Sequence, residues 1–231
     1  MIPRATVMTS ATINQKSTVL LVDDHPLVRE WLATLINQQP DLQAIGEASN
    51  ITQAMELIGS LKPQVVIVDI SLEGSSGINL IKDIKTAAPN VAVIVLSMHD
   101  ESLYAERAFR AGARGYVMKR QATQNILQAI RCVLEGKPYL SEKLALIMAE
   151  RLVEGRLGST ESRVELLSDR ELEVFQLLGA GRSSRQIAEE MRISFRTAQS
   201  FCARIKKKLK LHDGTELLRE AVRWHDRQHL Q

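Results

Sequence analysis

The chain has 231 residues, 45% of them hydrophobic and 25% charged, with a formal net charge of +3. That is room for one large domain or two modest ones, each with a core of its own. No apolar stretch approaches the ~18 residues that a bilayer span requires, and Met1 to Ser17 lacks the apolar h-region of an export signal.

In chain order, residues 1–17 are polar and expected to form a flexible N-terminal tail. From Thr18 to about Gly136, short apolar runs alternate with amphipathic stretches. Strands are predicted near 18–23, 42–48, 64–69, 91–96 and 114–118, and helices near 26–38, 50–60, 77–87, 100–112 and 122–135. Five strand-then-helix units argue for a parallel α/β sheet covered by helices on both faces. Beyond Pro138 an amphipathic helix is expected from Ser141 to Arg156, on a stripe of Leu144, Ile147, Met148 and Leu152. It gives way to the small, polar Gly155–Ser162, which suits a linker. After Leu166 every signal is helical. Ser168-Asp169-Arg170-Glu171 and Ser183-Ser184-Arg185-Gln186 are capping-box candidates, Ser194 caps a third helix to about Leu209, and Thr215 opens a fourth. Two helices joined only by Arg192-Ile193-Ser194 make a helix-turn-helix.

Charge is unevenly spread. Residues 1–140 carry 13 basic and 13 acidic side chains, whereas Arg182–Lys210 holds nine basic against two acidic. Such an excess fits a polyanion partner, and equally fits a solvated helix face. The two cysteines, Cys132 and Cys202, are far apart and without metal-ligand neighbours, as reduced thiols in a cytoplasm would be.

The ends of the predicted strands carry the chemistry. Val19–Val22 runs into Asp23-Asp24, Val65–Val68 into Asp69, Val91–Leu96 into Ser97, and Gly115–Met118 into Lys119. Ligands of parallel α/β sheets bind at this carboxyl edge. Three carboxylates gathered there repel one another unless a cation joins them. A hard-oxygen site without a His or Cys cluster suits Mg2+. With a hydroxyl and an ammonium alongside, these are the parts for moving a phosphoryl group onto a carboxylate. Asp69 would be the nucleophile, Asp24 and Asp69 would hold Mg2+ with Asp23 helping through water, and Lys119 and Ser97 would bind phosphoryl oxygens. Taken singly, each residue has a plainer reading: Asp23 and Asp24 as helix caps before Pro26, Ser97 as a cap, Lys119 as a solvated strand end. His25 reads as a helix-start residue.

Val22-Asp23-Asp24-His25-Pro26, Val68-Asp69-Ile70-Ser71 and Gly115-Tyr116-Val117-Met118-Lys119 resemble the receiver domain of bacterial two-component response regulators. Leu167–Val174 and Ile187-Ala188 resemble the LuxR-type DNA-binding domain. Together the chain resembles the NarL/FixJ family. The resemblance implies a flavodoxin-like, doubly wound, five-stranded receiver domain over 18–137 and a linker with a helical first half over 138–165. A small all-α, four-helix LuxR-type helix-turn-helix domain would occupy 166–231. It also implies a cytoplasmic, non-enzymatic transcription regulator whose Asp69 is phosphorylated by a sensor histidine kinase. Ser97 and Tyr116 would act as a switch pair, Ser71 would lend its backbone carbonyl to Mg2+, and a phosphorylated homodimer would bind promoter DNA.

The chain departs from the family pattern in two places. Glu73-Gly74 stands where Pro-Gly is usual, and its extra negative charge is expected to affect dephosphorylation rate or kinase choice. In the third C-terminal helix, Gln199 and Phe201 stand where Lys and His are usual. Ala198, Cys202, Ile205 and Leu209 form that helix's buried stripe. On the opposite face Gln199 can pair with adenine, and Ser200 and Ala203 can touch base edges or a thymine methyl. Arg196, Arg204, Lys206, Lys207 and Lys208 suit phosphates, while Phe201 either packs on the first helix of the domain or stays exposed. Leu218, Val222 and Trp224 of the last helix offer a self-association surface, the alternative being packing into the domain's own core, which some apolar residues of this helix must serve. The altered helix motivates a second reading, a regulator working through protein contacts with little specific DNA binding. A stand-alone phosphatase is a poor match, because Ser71 stands where such enzymes carry a second, proton-donating Asp.

Overall fold

A computed structural model describes residues 16–72, 76–98, 101–153 and 163–229. The expected N-terminal tail (through residue 15), the Glu73-Gly74 turn and the whole Gly155–Ser162 linker lie outside the described residues. The first part of the chain alternates β1 (Ser17–Val22), α1 (Pro26–Asn37), β2 (Leu42–Ala48), α2 (Ile51–Leu61), β3 (Val65–Asp69), α3 (Gly77–Ala87), β4 (Ala92–Ser97), α4 (Glu101–Ala111), β5 (Gly115–Met118) and α5 (Ala122–Leu134). The strands form one five-stranded sheet in the order β2-β1-β3-β4-β5, every pair parallel.

The period-2 alternation of a strand divides the core in two. Val19, Leu21, Ile67, Ile94, Leu96 and Val117 face α1 and α5. Leu20, Val22, Val68, Val93, Val95 and Tyr116 face α2, α3 and α4. Helices on both sides explain why β1, β3 and β4 read as unbroken apolar runs, each fully buried Val, Leu or Ile contributing about 1.5–3 kcal/mol. β2 lies at an edge, and its middle residues are only partly buried. Strand order reverses beside β1, so the loops leaving β1 and β3 part at the carboxyl edge and open a crevice there.

After α5, Gly136 turns the chain with φ +78°, and Tyr139 bridges Gly115. The Tyr139 amide donates to the Arg114 carbonyl (2.9 Å) and the Tyr116 amide to the Tyr139 carbonyl (3.3 Å), which covers the outer edge of β5. α6 (Glu142–Val153) follows. It buries Leu144 against the α4 side of the core and partly buries Met148. Leu152, expected in the same stripe, is instead exposed.

The C-terminal part consists of a 3-10 turn (Arg163–Leu166), α7 (Asp169–Gly179), α8 (Ser184–Glu190), α9 (Phe195–Leu209) and α10 (Gly214–His229). Both expected capping boxes form, Ser168 with Glu171 and Ser183 with Gln186. α10 begins one residue before the expected Thr215, since Asp213 Oδ1 accepts from the Glu216 amide (2.8 Å) and acts as the cap. Phe175 and Trp224 pack with tilted rings, their centroids 5.7 Å apart, among Ala198, Ile205, Leu209, Leu217 and Ala221. Trp224 therefore belongs to the core, and only Leu218 and Val222 of the expected self-association surface face outward.

The two parts share one apolar cluster, which runs from α3 and α4 into α7. Arg107 of α4 donates to the Leu167 carbonyl (2.7 Å) and to Asp169 Oδ1 (3.2 Å). Ser76 at the start of α3 donates to Asp169 Oδ2 (3.1 Å), Arg170 donates to the Leu72 carbonyl, and the buried Tyr104 hydroxyl donates to Gln176 Oε1 (3.1 Å). The contact falls on α7, leaving the outward face of α9 exposed.

Inside the C-terminal part, Lys208 Nζ lies 2.6 Å from the buried Glu171 Oε2 and donates to the Leu166 carbonyl (3.1 Å). Burial opposes ionisation of Glu171, but Lys208 and the Ser168 amide and hydroxyl prevail and hold its pKa below the usual 4.5. A depressed folded-state pKa stabilises above the unfolded value, and that contribution is lost as pH falls through the folded value. Lys208→Met is expected to cost about 1–3 kcal/mol at pH 7, discounted because Lys208 is partly solvated. In thermal melts the deficit should shrink as pH is lowered below the ordinary Glu range. A deficit independent of pH would remove the ion pair as its cause.

Candidate functional site

Asp23 and Asp24 leave the end of β1, Asp69 ends β3, and Lys119 follows β5 in a single 3-10 turn (Lys119–Gln121). Tertiary structure brings all four together. Lys119 Nζ lies 2.6 Å from Asp23 Oδ2 and 2.7 Å from Asp69 Oδ2. Asp69 Oδ1 accepts from the Ser71 amide at 3.1 Å, which fixes the plane of the carboxylate. Asp23 and Asp69 are each only 2% exposed. Burial raises the pKa of Asp69; the Lys119 ammonium works against this and the neighbouring Asp23 carboxylate adds to it. Burial also opposes the charge on Lys119, yet the Asp69 and Asp23 carboxylates outweigh it and raise its pKa above 10.5.

Three carboxylates against one ammonium leave two negative charges in excess, the complement of a divalent cation. The ligand atoms of Asp23, Asp24, His25 and Asp69 lie within 4.8 Å of one another. Asp23 Oδ2 and Asp24 Oδ1 are buried with charged neighbours but without an aligned hydrogen bond, a condition that a metal ion relieves. The donor set fits Mg2+.

His25 occupies the N-cap position of α1, as expected, without capping through its side chain. Its Nδ1 also lies 2.7 Å from Asp24 Oδ1 and 3.0 Å from Asp23 Oδ1, so it borders the pocket. Its adjacency to the acidic pair was the available signal for this. Ser97, the last residue of β4, is fully buried, one position beyond the Leu96 that pairs with Asp69. Tyr116 is buried in the α2–α4 half of the core, with Tyr104 in the same cluster. Trp31 lines a cleft of about 260 Å³ between α1 and α5 that reaches Lys119.

A second site lies on α9. Arg196, Gln199, Ser200, Ala203 and Lys207 are exposed, while Ala198, Ile205 and Leu209 are buried. Cys202 and Lys206 are partly buried. Phe201 packs partly against the domain core, and the Arg204 guanidinium lies 4.5 Å over its ring. Arg204 remains half exposed, and its Nε lies 3.8 Å from Glu171 Oε1. Lys208 departs from the expected phosphate role, because its ammonium is turned toward Glu171 and the Leu166 carbonyl.

Comparison with known proteins identifies both parts. Residues 19–131 match the response regulator receiver domain, and residues 165–221 match the bacterial regulatory proteins of the luxR family. The chain is 34% identical to the transcriptional regulatory protein LiaR of Bacillus subtilis, over 90% of this chain and 97% of that protein. It is 33% identical to the response regulator UvrY of Escherichia coli strain K12, over 89% and 93%. Among solved structures, RcsB of Salmonella enterica serovar Typhimurium, bound to promoter rprA in the presence of phosphomimetic BeF3-, aligns with a TM-score of 0.57. It is 25% identical, covering 89% of this chain and 98% of that one. No helix among the described residues is long and apolar enough to cross a membrane. Receiver domains bind Mg2+ at an acidic pocket, and the aspartate cluster here is such a pocket. The chain belongs to the two-component response regulators that join a receiver domain to a LuxR-family helix-turn-helix, and is a DNA-binding transcription regulator, not an enzyme.

Proposed function

We propose that Asp69 is the phosphoacceptor and that a sensor histidine kinase phosphorylates it in the cytoplasm, controlling homodimerisation and promoter binding by the C-terminal domain. The observation that carries this is the buried Asp69 carboxylate held by Lys119 beside Asp23 and Asp24. The receiver would span 18–137, the linker 138–165 and the DNA-binding domain 166–231.

In this reading an Asp69 oxygen attacks the phosphorus of a phosphohistidine. An acyl phosphate forms as the phosphorus–nitrogen bond breaks and the imidazole departs with its electron pair. Mg2+, when bound, neutralises phosphoryl oxygens in the transfer; Asp24, Asp69 and the Ser71 backbone carbonyl would hold it, with Asp23 acting through water. Lys119 keeps Asp69 oriented and then pairs with a phosphoryl oxygen, and the Ser97 hydroxyl takes another. The added charge of roughly −2 draws the Ser97 hydroxyl toward the phosphoryl group, and Tyr116, already buried beside it in this structure, repacks around the shifted Ser97.

The domain contact supports transmission of this change. Leu72 and Ser76 lie on the segment leaving Asp69, and Tyr104 and Arg107 lie on the helix following Ser97. Movement of either segment strains bonds to α7. The exposed face of α9 favours release or reorientation of the domains for dimerisation over simple unmasking of the recognition helix.

Full-length protein incubated with radiolabelled acetyl phosphate should incorporate label only with Mg2+, and Asp69→Asn should incorporate none; label persisting on that variant would overturn the assignment. A Cβ at Gly77 would run into the Asp69 carbonyl oxygen, whereas one at Gly59 meets nothing within 4 Å. Gly77→Ala should therefore slow labelling by roughly 10- to 100-fold through misplacement of the acceptor, and Gly59→Ala should leave the rate unchanged. Equal rates for the two variants would show that the close packing of α3 on β3 does not set the acceptor's position.

A further inference from the structure

We infer that Gln199 is a base-reading residue and that it fixes an A·T pair, adenine toward the protein, in each DNA half-site. The inference rests on the reading that α9 lies in the major groove, and it names what that helix selects. Residues near the N-terminal end of a recognition helix meet base edges, while those further along meet phosphate. Gln199 is the fifth residue of α9 and is exposed.

Three of its neighbours are otherwise committed. The Ser200 hydroxyl donates to the Arg196 carbonyl (2.9 Å). Arg204 stacks on Phe201, and Lys208 is bound to Glu171. Ala203, one turn beyond Gln199 on the same face, is exposed and presents only a methyl group. Small side chains at 200 and 203 let the helix backbone approach the groove floor, where a side chain as short as Gln can reach a base.

The carboxamide carries one acceptor and one donor group on a rigid plane. Adenine offers the matching pair in the major groove, the N6 amino group as donor and N7 as acceptor. Guanine offers two acceptors, N7 and O6, so one end of the Gln amide would face a like partner and stay unsatisfied. Arg or Lys at this position would make the opposite choice. Lys207, two turns further along the exposed face, supplies charge that holds the helix on phosphates whatever the sequence, and Arg196 lies one turn toward the N-terminus.

The test is selection of binding sites from random duplex DNA at one fixed salt concentration. It uses full-length protein treated with acetyl phosphate and Mg2+, in wild-type, Gln199→Lys and Gln199→Ala forms. Wild type should enrich an A·T pair at one position of each half-site, and replacing that pair by G·C should weaken binding roughly 5- to 150-fold. Gln199→Lys should move the preference at that position to G·C, and Gln199→Ala should flatten it while leaving the other positions intact. Lys207→Ala should weaken all sequences alike and lower the salt slope by about 1. A specific motif that stays the same in both Gln199 variants, or a wild-type motif with no invariant A·T pair, overturns the assignment of Gln199 alone. A wild type that prefers no sequence over random DNA overturns this inference together with the promoter-binding reading, and is told apart by a specific-to-random affinity ratio near one.

Discussion

Lys119 stands between Asp23 and Asp69, within 2.7 Å of both, and that arrangement sets the chemistry of the whole receiver pocket. A buried ammonium has to be paired, and so does a buried carboxylate. Each of the three residues makes the burial of the others tolerable. Their geometry depends on β1, β3 and β5 ending at one edge of the sheet, which in turn depends on the parallel order β2-β1-β3-β4-β5. With three carboxylates around one ammonium, the pocket is an acidic site of the kind at which receiver domains bind Mg2+.

The same pocket is wired to the rest of the chain through short segments. Three residues after Asp69, the Leu72 carbonyl accepts from Arg170 of the DNA-binding domain. Asp169 receives Ser76 from the start of α3 and Arg107 from α4. One carboxylate at the beginning of α7 thus joins the two receiver elements that flank Asp69 and the buried Ser97. On the other side, Tyr139 of the linker covers the β5 edge through the amide of Tyr116, and Ser141 donates to the buried Glu101 at the start of α4 (2.7 Å). A change confined to β4, β5 and α4 therefore reaches both the linker and α7 without crossing open solvent.

The DNA-binding domain divides its basic residues between two tasks. Lys208 neutralises Glu171, the buried acid of the α7 capping box, and ties α9 to the turn preceding α7. Arg204 braces Phe201. Arg196 and Lys207 remain on the outward face, beside a Gln, a Ser and an Ala that carry no charge. The outward face of α9 thus combines two exposed cations with a neutral centre.

The amino-acid sequence by itself determined the α/β order, the strand and helix positions of the receiver to within one or two residues, both capping boxes, and the four charged residues of the pocket. Local periodicity and strand-end chemistry encode these, and parallel topology leaves few alternatives. Burial of Trp224 rather than Leu218 or Val222, the inward turn of Lys208 and the exposure of Leu152 were decided only by tertiary structure. An amphipathic helix offers apolar side chains over a wide arc, and which of them are covered depends on where its neighbours lie. The contact of Arg107, Ser76 and Tyr104 with α7 was likewise invisible in the sequence. These residues lie 60 to 93 positions from their partners, and no local pattern records a surface that exists only once two domains meet.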